Sequence, residues 1–105
     1  MGRSHRRKPT RLAAKLHAIR IGLNFTQEQM IERLDCEELP LYPASISQYE
    51  QGKREPPLLV LLAYARVAGV TMEMLVDDVL NLPEPLPSLS GYTWVMRRER
   101  IEKHR

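Results

Sequence analysis

The chain has 105 residues and a formal net charge of +3, which leaves room for one domain with a modest core and excludes a second self-supporting unit. Cys36 is the only cysteine, so an internal disulfide is excluded. The longest apolar run, Leu58 to Ala65, is too short to cross a bilayer and reads as a buried helix. A basic N-terminal run without an apolar segment behind it is not a secretory signal, so a reducing cytoplasm is expected.

Charge is distributed in blocks. Residues 1–15 carry Arg3, Arg6, Arg7, Lys8, Arg11 and Lys15 with no acid, residues 16–96 carry a net −6, and residues 97–105 return to +3. Basic arms on an acidic body suit a polyanion, provided the body turns a particular face toward it.

In chain order, Leu12, Leu16, Ile19 and Leu23 recur at helical spacing, with Thr10 placed to cap the start and Gly22 near the end. The segment FTQEQMIERL predicts a second helix from Thr26 or Gln27 to Leu34. Thr26 and Gln29 form a capping box, and Phe25 and Met30 form a hydrophobic staple. The acidic, proline-containing DCEELPLYP reads as a connector. A third helix is predicted from Ala44 to Gln51, stopped by Gly52. Pro56 and Pro57 suit the turn and first position of a fourth helix, with an apolar face of Leu58, Leu61, Leu62, Ala65 and Ala68 closed by Gly69. Thr71 can cap a fifth, TMEMLVDDVL. No strand is expected in the first 80 residues. LPEPLPSLSG reads as an extended proline-rich linker, and Tyr92, Trp94, Val95 and Met96 begin a basic tail whose conformation the sequence leaves open.

The segments TQEQMIERL, SISQYEQGKREPP and LLAYARVAGVTMEMLV together resemble the helix-turn-helix domain of the lambda Cro and repressor family, also called the xenobiotic-response-element family of prokaryotic and phage regulators. The resemblance covers residues 11–80. It implies an all-α, five-helix, lambda-repressor-like DNA-binding domain between a basic arm at 1–10, a linker at 81–91 and a basic tail at 92–105. Two features depart from the family: about nine residues separate the motif helices, with Asp35 where a glycine is usual, and Ile31 replaces a small residue. The bulkier contact would push the motif helices apart, and the longer connector would allow it.

The resemblance further implies that the third helix enters the major groove of double-stranded DNA. Gln48 then reads adenine through a bidentate amide contact, with Ala44, Ser45 and Ser47 at neighbouring contact positions. Gln27 grips a phosphate at the start of the second helix, and Lys53 and Arg54 touch the backbone. Arg3, Arg6, Arg7 and Lys8 supply an arm for phosphates or a minor groove. Arg20 and Glu50 match positions that pair inside some relatives, a structural role.

Each assignment has a plainer rival. Ser45 and Gln48 also have capping-box spacing, Gln27 can be an exposed first-turn residue, and Lys53 and Arg54 can be solvated loop charge. Tyr49 and Ile46 belong to the inward face. His5, His17 and His104 are scattered, Cys36 has no histidine neighbour in sequence, and Asp77 with Asp78 reads as a solvated helix end. No catalytic or metal constellation, and hence no cofactor, is expected. Two functions follow: a transcriptional repressor, acting as a homodimer, or a protein-binding antitoxin or adaptor using the acidic body or the Trp94 tail.

Overall fold

The computed structural model describes residues 8–37 and 39–90. Arg3, Arg6 and Arg7 of the arm and the tail from Tyr92 onward lie outside the described residues. Five α-helices follow in order, α1 Leu12–Gly22, α2 Gln27–Leu34, α3 Pro43–Glu50, α4 Leu58–Ala68 and α5 Met72–Val76, then a 3-10 turn at Pro87–Ser90. No strand occurs among the described residues. No helix among them is long and apolar enough to cross a membrane.

Leu12, Leu16 and Ile19 of α1, Met30 and Leu34 of α2, Ile46 and Tyr49 of α3, and Val60, Leu61, Tyr64, Ala65 and Ala68 of α4 form one core, joined by Val70, Leu75 and Leu86. Helix α1 packs on α3 and α5, and α2 packs on α3 and α4. The capping box at α2 is present: the Gln29 N–H donates to Thr26 Oγ1 at 3.1 Å, and the Thr26 N–H donates to Gln29 Oε1 at 2.8 Å.

The long connector at residues 35–42 leaves α2 and α3 in contact. Asp35 takes a left-handed conformation, φ 50°, a backbone state that glycine adopts freely and aspartate tolerates through its short polar side chain. The extra residues loop out, and Leu41 and Cys36 pack back against the core. Ile31 is likewise packed at the core edge.

Five local expectations change. Thr10 is not the cap of α1; Arg11 holds that position without a side-chain bond, because Thr10 is engaged by Asp78. Pro57, expected at the first helical position, is the N-cap of α4, which begins one residue later at Leu58. The buried face of α4 is rotated to take in Val60 and Tyr64, so Leu58 stands 69% exposed. Helix α5 ends at Val76 because Asp77 turns extended and its carboxylate accepts the Val79 N–H at 2.9 Å. The proline-rich segment is docked instead of extended: Leu86 is buried against the end of α1, and the Pro87–Ser90 turn packs on α4.

Candidate nucleic-acid interface

Helix α3 starts where Pro43 fixes the first turn. The backbone of Tyr42 closes that turn, its carbonyl accepting the N–H groups of Ser45 and Ile46 at 2.8 and 3.2 Å. Ser45 returns the contact, its Oγ accepting the Tyr42 N–H at 3.2 Å. Ser45 therefore faces inward and is buried, and its hydroxyl positions the helix; it does not share the surface of Ala44. The same geometry removes the capping rival for Gln48, which lies in the second turn, beyond the reach of the terminus.

With Ser45, Ile46 and Tyr49 inward, the opposite face carries Ala44, Ser47, Gln48 and Gln51 at spacings of three, one and three. Ala44 and Gln51 are exposed, and Ser47 and Gln48 half-buried. The Gln51 amide donates to Ser47 Oγ at 2.8 Å, while the Gln48 amide has no hydrogen-bond partner among the described residues. Gln51 was missed in the sequence reading, although its three-residue offset from Gln48 marks it as a neighbour on that face. The surface offers hydroxyl and amide donors and acceptors, and no formal charge.

The helix leaves through a Schellman turn. The Lys53 N–H reaches Gln48 O at 2.9 Å and the Gly52 N–H reaches Tyr49 O at 3.3 Å, with Gly52 left-handed at φ 76°. That turn places Lys53 and Arg54 directly beyond the polar face, both exposed. Lys8, the first described residue of the arm, lines the same cleft as Lys53 and Arg54, beside Tyr49 and Gly52. Glu55 is the acid among them. Gln27, half-buried, is the first residue of α2, which packs on α3.

What orients α3 is a single guanidinium. Arg20 Nε and Nη2 donate to Glu50 Oε2 and Oε1 at 2.6 and 2.9 Å, and Nη1 donates to the Phe25 carbonyl at 3.0 Å. The end of α1, the entry to α2 and the last turn of α3 are thereby tied together. Both side chains are mostly buried, 14% and 7% exposed. The paired carboxylate raises the Arg20 pKa above the ordinary arginine value, so the guanidinium stays charged at any pH the fold survives.

Two bases of the charged block at residues 1–15, both beyond the arm, are engaged within the fold. Lys15 is buried on the apolar face of α1, its Nζ donating to the carbonyls of Met74 and Asp77 at 2.7 and 2.8 Å. Burial holds its ammonium below the ordinary lysine range. Arg11 donates from Nη1 to Asp78 O at 2.7 Å and from Nη2 to Asn81 Oδ1 at 2.7 Å. The Asp78 carboxylate in turn accepts the Thr10 N–H and hydroxyl and the Arg11 N–H, all at 3.0 Å. Asp78 is thus a cap supplied to α1 from the far end of the sequence, not a solvated helix end. No group of three or more His, Cys, Asp or Glu that could hold a metal ion occurs among the described residues.

Comparison with known proteins finds the helix-turn-helix family model matching residues 16–75. No curated protein and no solved structure matches the chain.

Proposed function

The chain belongs to the helix-turn-helix family of DNA-binding transcription regulators, of the Cro/C1 type, and within it we propose a sequence-specific repressor that reads the major groove with α3. One observation carries this reading: the outward face of α3 bears Ala44, Ser47, Gln48 and Gln51 without a charge, while the exposed cations Lys8, Lys53 and Arg54 gather beside its C-terminal end.

The division suits duplex DNA, where cations grip phosphates and uncharged amides distinguish base edges. Gln48, whose amide has no partner among the described residues, takes adenine N6 and N7 together. Ala44 meets a thymine methyl, and Ser47 with Gln51 forms a bonded pair whose remaining donors and acceptors face the same groove. Ser45 holds the helix start from within. Lys53, Arg54 and Gln27 bind the phosphate backbone on either side, and Arg3, Arg6, Arg7 and Lys8 extend that grip as an arm. Bound this way in the cytoplasm, a homodimer covers two half-sites about one helical turn apart and occludes the promoter beneath it.

Selection of bound duplexes from a random DNA library, with the mass of the complex read by light scattering, tests the proposal. Enrichment of a two-fold symmetric site bound by two chains is expected. Failure to enrich any duplex contradicts it and leaves the protein-binding antitoxin or adaptor reading in its place.

A further inference from the structure

Three aliphatic side chains stand exposed around the exits of the arm and α5: Leu58 at 69%, Val76 at 40% and Val79 at 84%. With Leu12 and Leu61 they form the apolar floor of a groove of about 780 Å³, a volume within the range that accommodates a drug-sized molecule or a few large side chains. Glu55, Asp77 and Asp78 also line it, and Lys8 is the cation among the described lining residues. An apolar floor lined also by carboxylates marks a surface suited to a covering partner.

The chain itself carries a segment of the complementary kind. Beyond Ser90 come Tyr92, Trp94, Val95 and Met96, followed at once by Arg97, Arg98 and Arg100: apolar groups for the floor, then cations for the carboxylates. Leu86 lies against Gly22, the last residue of α1, and the groove holds Leu12, the first, roughly 16 Å away along the helix. The chain continues past Ser90, and six extended residues, which bring it to Met96, span about 20 Å.

We propose that residues 92–98 of the same chain bind in this groove, with the Trp94 indole on the Leu58, Val76 and Val79 floor and Arg97 and Arg98 toward Asp77. The proposal is independent of how the chain reads DNA. It gives the acidic body a partner within the molecule, and it places the basic tail next to Lys8, where the basic arm leaves the body.

Trp94 is the only tryptophan, so its emission and its quenching by acrylamide report the tail alone in the full-length protein. The expected result is a blue-shifted, quencher-protected emission that is the same across the whole concentration range. It should shift to the red in Leu58→Gln and in Val79→Gln, each at an exposed position where the fold tolerates the change, with the melting temperature as a control. Leu59→Gln, equally exposed but outside the groove, should leave the emission unchanged. Solvent-like emission in the unaltered protein overturns the proposal. So does protection that vanishes on dilution, which assigns the groove to a second copy, or protection that survives both groove substitutions.

Discussion

Arg20 joins three helices through one side chain, and its partner Glu50 is the last residue of the helix proposed to read DNA. A carboxylate 7% exposed opposite a guanidinium 14% exposed is costly to disturb from one side, because the remaining charge is left in a poor solvent. Glu50→Ala should lower unfolding stability by about 3 to 5 kcal/mol in a denaturant titration, where a surface pair would give under about 1 kcal/mol. An unchanged midpoint would mean that the pair contributes no net stability. At this scale the sequence was informative wherever a residue type had one local use. Thr26 with Gln29 and Gly52 after α3 were legible for that reason. Ser45 was not: its neighbours Ala44 and Ser47 face outward, and the inward turn of its hydroxyl depends on Pro43 starting the helix one residue early.

Among the elements, α1 and α5 show where local reading stops. The start of α1 lacks a cap of its own, and the N–H groups of Thr10 and Arg11 are bonded to Asp78 across 68 and 67 residues of sequence. No periodicity announces such a contact. Lys15 gave a faint signal, a cation on the stripe of Leu12, Leu16 and Ile19, where it is buried. The backbone N–H donors of Thr10 and Arg11 hold the Asp78 carboxyl below its ordinary range. A carboxyl depressed in the folded state contributes stability that is complete above its unfolded pKa and is lost as pH falls through the folded value. Acid unfolding of the protein should therefore include an Asp78-dependent loss below about pH 4. In Asp78→Asn, stability at neutral pH should fall and its pH dependence below 4 should flatten. A variant that titrates in parallel with the parent would remove the carboxylate from the account.

Taken whole, the molecule separates binding from discrimination. Of the N-terminal bases described, Arg11 and Lys15 are bound within the fold, and Lys8 is left beside Lys53 and Arg54. The five-helix architecture was legible because apolar spacing marked α1 and α4, a capping box marked α2, and Gly52 and Gly69 marked the ends of α3 and α4. The rotated face of α4 and the docking of Leu86 were not, since they depend on how helices meet. The sequence left open how the long connector sets the angle of α3; in the structure α2 and α3 are in contact, Asp35 takes the left-handed turn, and Cys36 and Leu41 pack back on the core. Helix α3 is then held by its core residues and Glu50 with Gln48 facing outward. The most direct test of that claim is the binding free energy of Gln48→Ala relative to the unaltered protein, measured on the selected duplex and on random duplex at one salt concentration. An amide that reads a base but displaces no counterion should cost about 1 to 3 kcal/mol on the selected site and nothing on random DNA. Equal losses on both, or no loss on either, would contradict the reading of DNA by α3.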